Sequence, residues 1–533
     1  PLLPHTGAMS DAPAPRPRAC RLSALARQAG LVLFGDDLLV TGLTADSRHV
    51  RPGDLFVAVP GAHHDGRRFV DAAVAAGAAA VCTTIPVEGV PTLVAAEPRA
   101  ALADLAAAFY DYPVREVALV GITGSLGKTS TALLTQACLA GGGVRVGVIG
   151  SLGVRARGAV HDTGMTTPDA LVTQQELRWM ADEGVAFAVM EVSSHGILLE
   201  RVRGLELALG VFTNLVPDEH LEFHPTPEHY VETKLRFLRL LRPDAPVVYN
   251  ADDDGVRGAM HARHTGPAVG VTLRDHADGA VRVRDVHPHA AGSDFTLVVE
   301  RALETIVGGV VRPDAHALRV PLLGRQQVGN AALAATAALL AGVPAADVAA
   351  GMARLAPIRR RMEVVHPGAP LVVDDTVGNP RSIELVRQTV AELPHRALRI
   401  AYAVRGARGA TINEHNAEAL AAFVSGSGAR LVVTTSDEAA DARNRVTAEE
   451  RDAALGVLRA RGVPFTFRPR LADAVHEALD GAGPDDLVLL LGAQGMDAGA
   501  AIAREALGGA TSATTTDAAP MAGAATGTAV DGR

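Results

Sequence analysis

The chain has 533 residues, 48% of them hydrophobic and 20% charged, with a formal net charge of -9. That length exceeds what one hydrophobic core sustains and predicts about three domains. Acids and bases are interleaved, which excludes a dedicated nucleic-acid surface with Lys and Arg gathered on one face, and no apolar run reaches the roughly 18 residues of a membrane span.

Cys20, Cys82 and Cys138 show neither metal-ligand nor disulfide spacing, which fits a reducing cytoplasm. No basic-then-apolar leader is recognised, so the expected location is cytoplasmic. Residues 1–20, rich in Pro and Ala, read as a disordered leader, and 510–533, rich in Ala, Thr and Gly, as a disordered tail. Between them, short Val/Leu/Ile runs alternate with Ala/Leu-rich helical stretches, the signature of an α/β fold with parallel sheets.

Three blocks follow in order. Residues 21–113 hold short strands and an Ala-rich helix, ending at Tyr112-Pro113. Residues 114–355 open on a strand predicted over Val117–Ile122, pass through a glycine loop into a helix from Lys128 to Ala140, and close with an Ala-rich helix over 328–342. Residues 356–509 carry strands predicted at Leu398–Val404, Leu431–Thr435 and Leu487–Leu491.

The strongest motif is Gly121-Ile-Thr-Gly-Ser-Leu-Gly-Lys-Thr-Ser130, set between a strand and a helix. Glycines let the backbone curl so that its N–H groups face phosphate oxygens, and the helix N-terminus adds a favourable dipole. Gly124, Ser125, Leu126, Gly127, Lys128, Thr129 and Ser130 form the expected nucleotide loop, with Lys128 reaching the β- and γ-phosphates and Thr129 or Ser130 contacting Mg²⁺. In the usual G-x-x-x-x-G-K-S/T register the first Gly falls on Ile122, so this is a variant loop.

Glu191, in Val189-Met-Glu-Val-Ser-Ser-His-Gly196, falls near the carboxyl end of a strand, where open α/β sheets place ligands. A carboxylate there suits Mg²⁺ and equally suits a helix cap or an ion pair. Asn214-Leu-Val-Pro-Asp-Glu-His-Leu-Glu-Phe-His224 places two His and three acids after a buried strand. Read alone, His220 is a structural or surface histidine, and Lys234 a solvated helix residue.

Together these segments resemble the Mur ligase family, the ATP-dependent amino-acid ligases of peptidoglycan precursor synthesis, which serve cell-wall biogenesis, cell shape and division. The family loop T-G-T-N-G-K-T-T matches Thr123-Gly-Ser-Leu-Gly-Lys-Thr-Ser130, and the M-E-V-S-S-H-x-x-x-x-x-R-V signature of its MurE type is complete from Met190 to Val202. The resemblance spans roughly residues 40 to 500. It implies a three-domain architecture with a central P-loop parallel-sheet domain and a Rossmann-like C-terminal domain. It also implies two Mg²⁺ sites and an acceptor that is a UDP-N-acetylmuramoyl dipeptide. A monomer is expected, with no nucleic acid and no membrane insertion.

The resemblance assigns residues as well. Ser47, His63 and His64 would hold the uridine end of the nucleotide sugar, and Thr166, Thr167, Ser193 and Arg201 the muramoyl peptide; hydroxyls and an Arg suit diphosphate and carboxylates. Glu191 and His220 would be magnesium ligands, and Lys234 a carbamylated one, since a metal needs oxygen donors rather than an ammonium. Asn330 would lie near adenine, Arg361 would come from the third block to the phosphates, and Asp375 would approach the ribose. The segment Asp375-Thr-Val-Gly-Asn-Pro380 departs from the family's D-Y-A-H-x-P.

The third block departs most. Where diaminopimelate-using relatives carry D-N-P-R, the chain reads Ser436-Asp-Glu-Ala-Ala-Asp441, so Ala440 replaces the Arg that would clamp a distal carboxylate. Asp437, Glu438 and Asp441 instead favour a distal ammonium, as in lysine or ornithine. The G-K-G-H-E segment is reduced to Gly492-Ala-Gln-Gly-Met-Asp497, while Arg408 matches the residue that holds the incoming carboxylate. The expected activity is ADP-forming ligation of a diamino acid to UDP-N-acetylmuramoyl-L-alanyl-D-glutamate through an acyl phosphate. The alternatives are a paralogue with another amine, or a catalytically weak protein that binds nucleotide or UDP-sugar.

Overall fold

The computed structural model describes residues 18–508 apart from 62–64, 218–222, 275–277, 290 and 441–443. His63, His64, His220, Asp218, Glu219 and Asp441, together with the expected leader up to residue 17 and the tail, lie outside the described residues. The described chain forms two compact units. One runs to Arg361 and takes in 388–393; the other comprises 362–387 and the chain from Pro394.

The first unit contains two large sheets. A five-stranded sheet has the order Val32–Phe34, Thr92–Val94, Ala80–Thr83, Asp54–Val57, Gly42–Thr44, parallel except at its first pair. The helix Pro98–Phe109, Ala-rich with Pro at its first turn, buries Leu102, Leu105 and Phe109.

The second sheet has eleven strands. At its centre lie β1 (Ala118–Thr123), β2 (Val146–Gly150), β3 (Phe187–Glu191) and β4 (Leu207–Phe212), all parallel in the order β2-β3-β1-β4. Strands covered on both faces read as continuous apolar runs, and β4 is buried at every position. Gly121 lies inside β1 rather than in the loop after it, and a Cβ there would come within 2.6 Å of the Leu207 side chain. Its glycine therefore serves sheet packing, which explains why it stands one place off the usual phosphate-loop register.

Helix α1 (Lys128–Gly141) starts from Gly127, whose φ of 83° is left-handed and suits glycine. Helices α2 (Ser194–Leu198), α3 (Pro227–Leu235) and α4 (Arg325–Leu340) follow. Alanines on the deeply buried α4 allow close approach to α1 within the largest core cluster.

The second unit is a six-stranded sheet: Glu363–His366, then β5 (Leu371–Thr376), β9 (Leu487–Gly492), β6 (Leu398–Ala403), β7 (Arg430–Thr434) and β8 (Phe465–Arg468) in spatial order. Only the first strand is antiparallel. Helices α5 (Ala410–Ser427), α6 (Ala448–Ala460) and α7 (Leu471–Leu479) join successive strands. No helix among the described residues is long and apolar enough to cross a membrane.

Candidate functional site

The glycine loop sits at the carboxyl end of β1, where parallel strands present their ends to ligands. Its shape is held largely by side chains that bond its main chain. Leu126 N–H donates to Asn214 Oδ1 at 2.8 Å, and Leu126 C=O accepts from Asn214 Nδ2 at 2.9 Å and Thr213 Oγ1 at 2.7 Å. Ser125 Oγ lies 2.7 Å from the Tyr230 hydroxyl and accepts from Val216 N–H at 2.9 Å. Lys128 folds over the loop, with Nζ donating to Gly124 O at 2.8 Å and Ser125 O at 2.9 Å. Ser130 is buried at the start of α1.

Glu191 ends β3 and is 1% exposed. One carboxylate oxygen accepts from Thr129 Oγ1 at 2.9 Å, the other from Ser151 N–H at 2.7 Å. Burial raises its pKa above the ordinary carboxylate value, a shift that the Ser151 N–H, Lys128, Thr129 and Arg361 oppose only in part. This is a set of hard oxygen donors beside a phosphate loop, and it fits Mg²⁺.

Lys234 is 1% exposed, so the solvated-helix reading is wrong. Helix α3, with Thr226 accepting from His229 N–H at 3.1 Å and Pro227 in its first turn, aims Lys234 at the loop. Its Nζ donates to Gly124 O at 3.0 Å and lies 5.0 Å from the centre of the Tyr230 ring. As an ammonium it is no metal ligand; only a carbamate would make it one. Among the described residues no three His, Cys, Asp or Glu side chains gather as a metal cluster.

The residues expected at the muramoyl peptide converge on the same strand end. Thr167 Oγ1 donates to Glu191 O at 2.9 Å and lies 2.9 Å from Ser193 Oγ. Thr166 Oγ1 is 2.9 Å from Ser151 Oγ. Arg201 donates to Thr167 O at 2.9 Å and ion-pairs with Asp169 at 2.9 Å. Ser47 lies in a short turn of the five-stranded region, with Asp46 accepting from Arg48 N–H at 3.0 Å.

The remaining nucleotide candidates divide. Asn330 is buried and bonds Gln327, and a Cβ at Gly127 would lie 2.8 Å from its Oδ1, which places it against the phosphate loop. Arg361 falls at the end of the first unit rather than within the second. Asp375, near the end of β5, uses Oδ1 to accept from Met362 N–H at 2.8 Å.

In the second unit Arg408 is exposed, and its N–H donates to Glu450 Oε1 at 2.7 Å. Of the three acids expected near Ala440, Asp441 lies outside the described residues, and the other two are placed differently. Glu438 caps α7, accepting from Leu471 N–H at 3.0 Å and Ala472 N–H at 3.1 Å, so its carboxylate is engaged. Asp437 lines a cleft of about 440 Å³ with Thr435, Arg445, Thr447, Arg451 and Phe467. Met496 is fully buried, so the altered segment after β9 joins the core.

Ser151, Asn214, Tyr230 and His224 were not among the predicted site residues. His224 is fully buried, with Nε2 3.0 Å from Ser194 Oγ and Nδ1 3.0 Å from His229 Nδ1.

Three family models match the chain: "Mur ligase family, catalytic domain" over residues 39–110, "Mur ligase middle domain" over 122–338 and "Mur ligase, glutamate ligase domain" over 360–494. The chain is 33% identical over 494 residues to the UDP-N-acetylmuramoyl-L-alanyl-D-glutamate--2,6-diaminopimelate ligase of Streptomyces coelicolor, covering 89% of this chain and 93% of that one. It is 34% identical over 472 residues to the UDP-N-acetylmuramyl-tripeptide synthetase of Roseiflexus sp., covering 85% and 89%. Among solved structures, a crystal structure of MurF from Acinetobacter baumannii superposes with a TM-score of 0.66 at 18% identity, over 92% of this chain and 99% of that one. At that identity the likeness establishes the fold.

Proposed function

The chain belongs to the Mur ligase family and is an ATP-dependent, ADP-forming amide ligase; on that premise we propose that it adds a diamino acid to UDP-N-acetylmuramoyl-L-alanyl-D-glutamate. One observation carries the reading. The Glu191 side chain bonds Thr129 of the phosphate loop, while its main-chain oxygen bonds Thr167 of the segment assigned to the muramoyl peptide. Nucleotide and acceptor candidates thus meet on one residue.

Lys128 and the loop N–H groups bear the β/γ charge as the γ-phosphoryl passes to the D-glutamate side-chain carboxylate, releasing ADP. Transfer of this kind needs positioning and charge neutralisation above all. The amine then attacks the acyl phosphate, forming the amide and expelling phosphate. Thr129, Glu191, His220 and a carbamylated Lys234 would hold Mg²⁺, which supplies charge neutralisation on the phosphate oxygens. Thr167, Ser193 and Arg201 orient the peptide; Ser47, His63 and His64 bind the uridine end. Asn330, Arg361 and Asp375 serve the nucleotide, and Arg408 the amino acid's carboxylate.

For the amine we propose lysine or ornithine, supported by Ala440 in place of an Arg and by Asp437 in the cleft. A second reading, 2,6-diaminopimelate, has its own support in Arg445 and Arg451 lining that same cleft and in the name of the Streptomyces relative. The test is ADP release with the UDP-muramoyl dipeptide and each of the three amines. Release with lysine or ornithine alone bears out the first reading, and diaminopimelate dependence the second. No release with any amine sinks the proposal.

A further inference from the structure

We infer that Ser151 is a positioning residue for the acceptor, its hydroxyl holding Thr166 in register with the buried carboxylate of Glu191. The inference deepens the ligase reading above and rests on it for the identity of the acceptor; the contacts themselves stand apart from that reading. Ser151 and Leu152 form the two-residue turn between β2 and the antiparallel strand Gly153–Ala156, with Gly150 paired to Gly153. So short a turn fixes where its first residue emerges, here at the carboxyl end of β2 beside the end of β3. Gly150 is explained by its neighbour, because its backbone is not left-handed. A Cβ there would lie 2.2 Å from Glu191 Oε1. Its absence lets the carboxylate reach across β2 and accept from Ser151 N–H at 2.7 Å.

The Ser151 hydroxyl then serves two partners. It lies 2.9 Å from Thr166 Oγ1 and donates over a longer 3.3 Å to Glu191 Oε2. One proton and two lone pairs allow both bonds together, Ser151 donating to the carboxylate and accepting from Thr166. Ser151 is exposed and Thr166 half-buried, so this pair stands on the open side of the site, with Glu191 closed off behind it. Thr167 is tied to Glu191 by another route, donating from Oγ1 to Glu191 O at 2.9 Å and accepting from Ser193 N–H at 3.0 Å. Two consecutive threonines are thus referred to one residue, Thr167 through the main chain of Glu191 and Thr166 through Ser151. A serine that served the turn alone would act through its main chain. The contact with Thr166 belongs to the side chain, which a substitution can remove while the Ser151 N–H to Glu191 stays.

The experiment uses the full chain and four variants: Ser151→Ala, Ser151→Thr, Thr166→Val and the double Ser151→Ala/Thr166→Val. Calorimetry with the UDP-muramoyl dipeptide, in AMP-PNP and Mg²⁺ without amine, reads acceptor binding without turnover. Calorimetry with ADP reads the nucleotide, and ADP release gives kcat and the KM for each substrate. Ser151→Ala should weaken the dipeptide about five- to twentyfold, the loss of one positioned hydrogen bond, and raise its KM alike. ADP affinity should stay within about twofold and kcat within about threefold, because the N–H bond to Glu191 is kept. Ser151→Thr keeps the hydroxyl and should bind the dipeptide within about threefold of wild type. The double variant should be weaker than Thr166→Val by no more than about twofold, since Ser151 acts through Thr166. The inference is overturned if Ser151→Ala leaves dipeptide binding within about twofold of wild type, if it weakens ADP as much as the dipeptide, or if its full effect persists beside Thr166→Val. A wild-type chain that binds the dipeptide but ligates no amine would refute the ligase reading while the calorimetric arms still decide this one. A wild-type chain that binds no dipeptide overturns both.

Discussion

The carboxamide of Asn214 pairs with both main-chain groups of Leu126, accepting from its N–H at 2.8 Å and donating to its carbonyl at 2.9 Å. The phosphate loop therefore does not depend on the side chain at position 126, where the family loop has Asn. Leu126→Asn should leave the KM for ATP and the turnover within about threefold of wild type. Asn214→Ala removes two bonds worth about 1 kcal/mol each and should raise the KM for ATP by about tenfold or more. Steady-state ADP release checks the order, and a larger effect at 126 than at 214 would show that the side chain shapes the loop.

Glu191 couples stability against activity. Its folded pKa is raised by burial, so the protonated form is favoured in the fold. The associated stability is full below the unfolded carboxylate value and is lost as pH rises through the folded value. Glu191→Gln stays neutral and can accept from Ser151 N–H as the carboxylate does. In the absence of nucleotide and metal it should unfold at higher denaturant than wild type near pH 8, by about 1–2 kcal/mol, with the gap closing toward pH 4. Its ADP release should fall by at least about a hundredfold. A variant less stable at pH 8 would mean that the carboxylate is better compensated than its burial implies.

What was legible in the sequence was local. The strand predicted over 117–122 is observed at Ala118–Thr123, and the helix after the loop at Lys128–Gly141, because apolar runs and a glycine loop act over a few residues. Gly121 misled for the same reason: its neighbour Leu207 is far along the chain, and only the packed sheet shows that glycine is needed there. The burial of Lys234 depends on the distant loop at Gly124 closing over it beside Tyr230 of its own helix, so a helix lysine read alone looks solvated. Glu438 looked like a specificity acid, but its partners Leu471 and Ala472 begin a helix more than thirty residues later. Ser151 carries no motif, and its role comes entirely from tertiary contacts, above all with Glu191, forty residues along the chain.

Glu450 makes the Arg408 loop sensitive to acid. It is 3% exposed, and burial alone would raise its pKa, but N–H donors from Thr447, Gly409 and Arg408 more than offset that and hold it below the ordinary range. Its stability contribution is present above the unfolded carboxylate value, about 4.3, and is lost as pH falls through the depressed folded value. Glu450→Gln should cost about 1–3 kcal/mol at pH 7, and the difference from wild type should shrink below about pH 4. The KM for the amine should rise more than that for ATP, since the loosened loop carries Arg408. An equal rise in both would place the loop's influence elsewhere.

Lys234 tests the proposed second metal ligand without relying on loss of activity alone. A buried ammonium 3.0 Å from the Gly124 carbonyl pays a desolvation cost that an apolar side chain of similar length does not. Lys234→Met should therefore fold with stability equal to or above wild type, while its turnover falls by at least about a hundredfold for want of an oxygen donor. Carbamylation adds a carboxylate carbon to Nζ, so ¹³C-labelled bicarbonate should give the wild-type protein a carbamate resonance that Lys234→Met lacks. Formate or acetate should restore part of the turnover of Lys234→Ala, where the truncated side chain leaves room for a small carboxylate, and none to Lys234→Met, where the methionine fills it. A stable Lys234→Met variant with wild-type turnover would remove the lysine from the metal site, and loss of turnover with no carbamate resonance in the wild type would leave it as a cation bracing the loop through Gly124.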